Sequence, residues 1–198
     1  MVVEQLRANG IRDERVLAAM AEIPREEFLP EQVRRYAYED RALAIGHGQT
    51  ISQPFVVAAM TQVLEPDPDQ AALEVGTGSG YQAAVLARLY RHVVTIEREP
   101  ALGERAAATL GRLGFTNVEV VLGDGREGWI EGAPYQGILV AAAGRSVPPA
   151  LAEELEEGGR LVMPIEYGLE DQELRLFWKV DGKLESRLLF PVRFVPLL

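Results

Sequence analysis

Three acidic residues stand where successive apolar runs of the chain end, and together they could hold a positively charged ligand. They are Glu74, Glu97 and Asp124. Each apolar run has the length and composition of a buried strand, and the ends of parallel strands meet at one edge of a sheet. Carboxylates at such an edge repel a pyrophosphate but accept hydrogen bonds from ammonium groups and ribose hydroxyls. The residue types therefore favour a cationic nucleoside without phosphates.

A glycine-rich turn lies directly after Glu74. Its glycines are Gly76, Gly78 and Gly80, and the sixth position counted from Gly76 is Tyr81. The dinucleotide fingerprint has a glycine at that sixth position, so an NAD-type cofactor is disfavoured. Glycine permits positive φ and lets a ligand lie against bare backbone. Combined with the acidic strand ends, the turn predicts binding of S-adenosyl-L-methionine.

The composition limits the partners of the chain. Its 198 residues are most simply one domain, and 30 acidic against 20 basic residues give a formal net charge of −10. No basic run exceeds Arg34-Arg35, which disfavours lasting contact with nucleic acid or an anionic membrane. The absence of cysteine excludes disulfides and thiol catalysis. Because no apolar stretch approaches the roughly 20 residues that cross a bilayer and no export signal is visible, we expect a cytoplasmic protein. We also expect a monomer without a metal site.

Alternating strand and helix patterns over residues 70–165 predict the sheet that positions these residues. They indicate an α/β fold with a Rossmann-like, doubly wound, mostly parallel sheet that forms the cofactor-binding core. Within it, residues 149–156 are predicted to form a helix that Gly158-Gly159 closes.

The flanking segments predict different structures. Residues 1–65 indicate an N-terminal helical segment with an active-site loop, in which residues 36–50 are irregular. Ser52-Gln53-Pro54 then opens a helix, with serine as the cap and proline in the first turn. Over residues 170–198, the alternation of apolar and polar residues around Asp181-Gly182 predicts a C-terminal β-hairpin.

Longer motifs extend the glycine turn into a pattern that covers nearly the whole chain. They are Gly46-x-Gly-Gln-Thr-Ile-Ser-Gln-Pro54, residues 73–82, 93–98 and 123–125, Val147-Pro148 with Leu151, and residues 158–164 and 193–197. In these motifs the chain resembles the protein-L-isoaspartate O-methyltransferases. Many methyltransferases share the glycine turn, whereas Gly-Gln-Thr-Ile-Ser-Gln-Pro is much more particular to this family.

The resemblance implies an activity and a set of site residues. The cofactor would be S-adenosyl-L-methionine, and the substrate the α-carboxylate of L-isoaspartyl residues, or the side-chain carboxylate of D-aspartyl residues, in damaged proteins and peptides. The methyl ester would collapse to a succinimide and begin repair. Ser52 would be the catalytic residue, in a loop of residues 49–52 that folds over the cofactor. The implied cofactor-binding residues are Gln49, Thr50, Ile51, Ser52, Glu74, Gly76, Thr77, Gly78, Glu97, Arg98, Asp124 and Gly125.

Three positions depart from the family pattern. Gln136 stands where aspartate is usual, Ala44 where proline is common, and Ala141 where threonine or glycine is often found. Gln136 is predicted at the beginning of a strand, away from the ligand, so we expect activity to survive. Ala141 is predicted at the functional end, where it bears on substrate contacts.

Methyl transfer to a carboxylate asks little of acid–base chemistry, because an α-carboxyl group with a pKa near 3.5 is already ionised at pH 7. We expect the Ser52 hydroxyl to donate to this carboxylate and the helix start at Gln53 to attract it. The local sequence also suits a purely structural serine cap. Glu97 could likewise be a solvated strand end, and Asp124 a turn former.

Three other functions stay open at the level of the sequence. A methyltransferase for a small metabolite would share the core and differ around Ser52. A binding or scaffold protein could keep the fold without turnover, although Ser52, the glycine turn and Glu97 are all present. A nicotinamide-dependent dehydrogenase is disfavoured by Tyr81 and by the acidic strand ends.

Overall fold

The computed structural model describes residues 2–168 and 171–198, and the chain begins with helices. Helix α1 spans Val2–Ala8 and α2 spans Glu14–Glu22, and 3₁₀-helical turns follow at Arg25–Phe28 and Glu31–Tyr36. The Asp13 side chain caps α2 by accepting the N–H of Arg15 at 2.9 Å. Residue 1 of the predicted N-terminal segment and residue 170 of the predicted hairpin segment lie outside the described residues.

A small antiparallel hairpin follows where the sequence predicts an irregular loop. Strand β1 spans Leu43–Gly46 and β2 spans Gln49–Ile51. The prediction of an irregular segment is wrong for these strand residues, because strands of four and three residues are too short for a period-two pattern to stand out, whereas residues 37–42 are irregular as predicted. The connecting turn at His47-Gly48 has positive φ at both residues. The hairpin makes residues 49–51 a strand rather than an irregular loop.

Helix α3 spans Pro54–Val63, with proline in its first turn as predicted. The predicted serine cap is wrong, because the N-cap residue is Gln53. The Asp40 side chain takes over the capping function and accepts the N–H of Phe55 at 3.0 Å. The hydroxyl of Ser52 is therefore not engaged as a helix cap.

Among the described residues, seven strands form one sheet. In chain order they are β3 (Ala71–Val75), β4 (His92–Glu97), β5 (Val118–Leu122), β6 (Tyr135–Val140), β7 (Leu155–Tyr167), β8 (Asp171–Val180) and β9 (Lys183–Pro191). Their spatial order is β5-β4-β3-β6-β7-β8-β9. The first five pair in parallel, whereas β8 and β9 continue the sheet as an antiparallel hairpin. The predicted α/β fold and its C-terminal hairpin are confirmed.

The helices that pack against the parallel strands include α4 (Tyr81–Ala87), α5 (Pro100–Arg112) and α6 (Pro149–Glu154). The last of them ends earlier than predicted, because Leu155 already pairs with Tyr135 as the first residue of β7. The buried Leu155 side chain joins the apolar core at that point. Gly158-Gly159 consequently lie inside a strand, and the prediction that they close the helix is wrong.

The order of the sheet reverses beside β3. The chain leaves β3 to build β4 and β5 on one side and then returns to β6 on the other. In open α/β sheets, ligands bind at such a switch point, beyond the carboxyl ends of the strands. The N-terminal helices share one apolar cluster with the sheet, which includes Leu6, Leu17, Ala72 and Val93. In the described part of the chain, no helix is both long and apolar enough to cross a membrane.

Candidate functional site

The chain leaves β3 through the glycine turn, whose glycines all have positive φ. The angles are +94° at Gly76, +54° at Gly78 and +87° at Gly80. They confirm that glycine is required here, because side-chain-bearing residues rarely adopt such angles. The N–H groups of Gly76 and Thr77 donate to the carbonyl of Ile96 at 2.9 and 3.3 Å. The turn is thus fixed to the end of β4.

Glu97, the last residue of β4, holds the same turn through its side chain. Its Oε2 accepts the N–H of Gly78 at 2.8 Å, and its Oε1 accepts the N–H of Glu99 at 3.0 Å. Because Glu97 is only 6% exposed, the alternative of a solvated strand end is wrong. Each carboxylate oxygen has a further lone pair with which it can accept a ligand hydroxyl.

Glu74 lies near the end of β3 and is completely buried. Its Oε2 accepts the Thr95 hydroxyl at 2.5 Å, and that hydroxyl is 2.7 Å from the hydroxyl of Thr77. Its Oε1 has no hydrogen-bond partner among the described residues. Burial raises the pKa of Glu74 to about 8, opposed by the Thr95 hydrogen bond and assisted by the nearby Glu97. Burial without a cationic partner therefore favours the protonated form of Glu74.

Asp124 follows β5, but its carboxylate serves its own turn. It accepts the N–H of Arg126 at 2.9 Å and forms an ion pair with the guanidinium of that residue at 2.6 Å. These bonds to Arg126 lower the pKa of Asp124. The acidic edge predicted from three carboxylates is therefore corrected. Since burial favours the neutral form of Glu74 and Asp124 is paired with Arg126, the Glu97 carboxylate accounts for most of the negative charge at this edge.

The Ser52 segment, residues 49–52, comprises β2 and the entry into α3. The carbonyl of Ser52 accepts a hydrogen bond from Arg25 Nη2 at 2.6 Å. The side chain of Ser52 is half-buried, and its hydroxyl makes no hydrogen bond to any residue that the structure describes. That hydroxyl is consequently available to a ligand.

A cavity of about 670 Å³ joins the glycine turn, the end of β4 and the Ser52 segment. Its volume suits a ligand of nucleoside size. The cavity is lined by the predicted site residues Gln49, Thr50, Ile51, Ser52, Glu74, Gly76, Thr77, Gly78, Glu97, Arg98 and Gly125. Of the predicted set, Asp124 alone does not line it.

Comparison with known proteins identifies a family for this arrangement. A family profile described as protein-L-isoaspartate(D-aspartate) O-methyltransferase matches residues 1–198, the whole chain. The chain belongs to this family. The resemblance inferred from the motifs is thereby confirmed.

Individual members of this methyltransferase family are similar to the chain over most of its length. A protein-L-isoaspartate O-methyltransferase from Opitutus terrae is 53% identical over 99% of this chain and 84% of its own length. A solved protein-L-isoaspartate O-methyltransferase superposes on this structure with a TM-score of 0.91 and is 35% identical in sequence. The match covers 98% of this chain and 64% of the solved chain. A Plasmodium falciparum protein of the same description, solved with S-adenosyl-L-homocysteine, gives a TM-score of 0.87 at 27% identity over 100% of this chain and 96% of its own.

The C-terminal tail, residues 190–198, forms a wall of the cavity that the sequence analysis did not assign. Leu197 donates its N–H to the carbonyl of Ala143 at 2.7 Å, and Ala143 donates to the carbonyl of Val195 at 2.8 Å. The tail is thus fixed beyond the end of β6. The family motif at residues 193–197 was a signal for this position, but four of its five residues are apolar and give no chemical cue of their own.

The three departures from the family pattern occupy different surroundings. Gln136 accepts the hydroxyl of Tyr90 at 2.9 Å at the beginning of β6, away from the cavity as predicted. Ala44 is an exposed residue of β1. Ala141 lines the cavity, and its Cβ would lie 3.5 Å from a side chain built at Gly76. Only Ala141 is therefore placed to influence a bound ligand.

Proposed function

We propose that this protein transfers a methyl group from S-adenosyl-L-methionine to the α-carboxylate of L-isoaspartyl residues in proteins and peptides. The proposal depends on one observation above all, the cavity in which Glu97 and the glycine turn meet the free hydroxyl of Ser52. The family supports the acceptor, and the S-adenosyl-L-homocysteine bound to the Plasmodium relative supports the cofactor. The side-chain carboxylate of D-aspartyl residues is a second acceptor in this proposal.

The residues of the cavity fit such a cofactor. Glu97 would accept hydrogen bonds from ribose hydroxyls, and the bare backbone at Gly76 and Gly78 would let the cofactor approach closely. The buried Oε1 of Glu74 is an acceptor without a partner in the described residues. A cationic ligand beside it would favour the ionised carboxyl group. When bound, the cofactor supplies an electrophilic methyl group on a sulfonium sulfur.

The acceptor needs no general base, because the α-carboxylate is already ionised at neutral pH. Its oxygen forms the new bond to carbon as the bond from sulfur to that carbon breaks, and no proton is transferred. Of the two histidines in the chain, His47 lies in the β1–β2 turn and His92 at the beginning of β4, and neither lines the cavity. The work of the protein is to orient the carboxylate and exclude water.

Ser52 is the residue that we assign to this orientation. The predicted attraction by the α3 helix start is weaker than expected, because Pro54 has no N–H and Asp40 already accepts the N–H of Phe55. The hydroxyl of Ser52 has no competing bond among the described residues and can donate to the substrate carboxylate. In the resulting methyl ester, the adjacent amide nitrogen of the substrate would attack the ester carbonyl and release methanol, so that the succinimide forms without further help from the protein.

A direct test compares two peptides that differ only in one linkage. The protein is incubated with methyl-labelled S-adenosyl-L-methionine and either an isoaspartyl peptide or its aspartyl counterpart. We expect base-labile label in the isoaspartyl peptide alone. Equal labelling of both peptides, or of neither, would contradict the proposal. Methylation of a small carboxylic acid in their place would favour the metabolite methyltransferase, and calorimetric binding of NAD without S-adenosyl-L-methionine would favour the dehydrogenase.

A further inference from the structure

Arg25 carries a charge that is almost fully removed from water. It begins the 3₁₀-helical turn after α2 and is 1% exposed. Burial lowers the pKa of Arg25 to about 10, so the guanidinium stays charged at neutral pH. No acidic side chain of the described residues forms an ion pair with it. A buried charge without a carboxylate partner is costly for the fold.

The contacts of Arg25 connect three segments that surround the cavity. Its Nη2 donates to the carbonyl of Ser52 at 2.6 Å, and its Nε donates to the carbonyl of Ala37 at 2.8 Å. The guanidinium also lies 4.8 Å from the centre of the Tyr81 ring, at the end of the glycine turn. Arg25 therefore links the backbone of Ser52 to the helix that follows the turn.

A second N-terminal residue holds the start of α3, directly after the Ser52 segment. Asp40 accepts the N–H of Phe55 at 3.0 Å, while Arg25 holds the carbonyl of Ser52. The backbone between these two bonds includes Gln53 and Pro54, whose φ is restricted by its ring. The backbone that follows the Ser52 side chain is thus held at both of its ends.

We propose that Arg25 is a positioning residue, which fixes the Ser52 backbone so that the hydroxyl meets the substrate carboxylate at the required angle. This inference rests on the proposed function of the site. Arg25 does not touch the substrate itself, because its guanidinium is buried beneath the Ser52 segment. Its fixed positive charge also favours an anion bound beside Ser52. Lysine cannot reproduce two hydrogen bonds in the fixed geometry of a guanidinium.

A double-mutant cycle separates positioning from general support of the fold. The variants are Arg25→Met, Ser52→Ala and the double substitution, and Arg34→Met is the matched control. Arg34 also donates to a backbone carbonyl, that of Leu29 at 3.1 Å, but it is exposed and does not contact the Ser52 segment. We expect Arg25→Met to lower kcat for an isoaspartyl peptide by about 10–100-fold. In the Ser52→Ala background the same change should alter kcat by less than about twofold.

Two further measurements extend the test. The Kd for S-adenosyl-L-homocysteine should change by less than about twofold in Arg25→Met. Amide hydrogen exchange over residues 49–55 should become faster in Arg25→Met and stay unchanged in Arg34→Met. If Arg25→Met does not fold, Arg25→Lys, which retains the charge, replaces it in the cycle. Its kcat should lie below that of the unsubstituted protein, because lysine cannot make both hydrogen bonds.

Several results would overturn the inference. They are an unchanged kcat, multiplicative effects of the two substitutions, or unaltered exchange over residues 49–55. Failure of the proposed function is distinguishable, because the unsubstituted protein would then methylate no isoaspartyl peptide. In that case the exchange measurement alone decides whether Arg25 fixes the Ser52 segment.

Discussion

The Glu97 carboxylate and the backbone N–H of Gly78 are joined by a hydrogen bond of 2.8 Å, which ties the end of β4 to the glycine turn. One acidic side chain thus both shapes the turn and presents acceptors to the cavity. A carboxylate in this position can accept ligand hydroxyls without moving, because two backbone N–H groups already hold it.

We expect Glu97→Gln to weaken binding of S-adenosyl-L-homocysteine by about 10–150-fold, the equivalent of losing one charged hydrogen bond of about 1.5–3 kcal/mol. Glutamine keeps the size of the side chain, but one of its two end groups cannot accept. Calorimetric titration measures the effect. Glu99→Gln is the control, because Glu99 is a neighbouring, partly exposed carboxylate that does not line the cavity. Equal affinities for the three proteins would refute the role of Glu97.

Ser52 and Asp40 offer a pair of substitutions with opposite expected results. Ser52→Ala should lower kcat by about 10–150-fold, yet change the free energy of unfolding by less than about 0.5 kcal/mol, because Ser52 caps no helix. Asp40→Ala should cost about 0.5–2 kcal/mol of stability through the lost bond to Phe55. Denaturant titration and steady-state kinetics with an isoaspartyl peptide measure both quantities. A marked loss of stability in Ser52→Ala would restore the capping alternative.

Much of this site could be predicted because its signals are local. The positive φ angles at Gly76 and Gly78 follow from residue type, and the apolar runs before Glu74 and Glu97 identify the strand ends. Parallel strands then bring these ends to one edge of the sheet without any further information. The local signals therefore located the part of the cavity formed by the glycine turn and the end of β4, and the family motif added residues 49–52.

The features that were missed depend on residues far apart in the chain. Asp40 caps α3 by accepting the N–H of Phe55, which lies 15 residues later in the chain. Arg25 donates to the carbonyl of Ser52, which lies 27 residues later. The tail reaches the cavity only by pairing with Ala143. The raised pKa of Glu74 follows from complete burial, which no local pattern reveals. Tertiary contacts, rather than propensities, determine these properties.

The glycine turn can be tested at Gly78, where φ is +54° and an added Cβ would lie 3.6 Å from Ile45. Gly78→Ala should cost about 1–2 kcal/mol of stability, because alanine disfavours positive φ. Gly10→Ala is the matched control, since Gly10 has a φ of +97° and open space around it. We expect both variants to lose similar stability, but only Gly78→Ala to lose affinity for S-adenosyl-L-homocysteine in calorimetry. Comparable affinities would show that the cofactor does not approach Gly78.

The buried carboxyl group of Glu74 predicts a pH dependence of stability. Its pKa is raised from 4.5 to about 8 in the folded protein. Between these values the unfolded chain loses the proton while the folded chain keeps it, so stability falls as pH rises from about 4.5 to 8. Glu74→Gln is neutral at every pH and lacks this contribution. The free energy of unfolding of Glu74→Gln minus that of the unsubstituted protein should therefore increase over this range, with a slope of at most about 1.4 kcal/mol per pH unit.

The difference between the two proteins has to be measured, because other groups also contribute to the pH dependence. Hydrogen bonds to arginine lower the pKa of Asp13 and Asp124, which gives stability that is lost as pH falls, at lower pH than the Glu74 window. These contributions cancel when the two proteins are compared by denaturant titration at each pH. Glu185→Gln, which removes an exposed carboxyl group from β9, should show no such rise. A flat difference for Glu74→Gln would mean that Glu74 is ionised in the folded protein, and Glu74 would then add a second negative charge to that of Glu97.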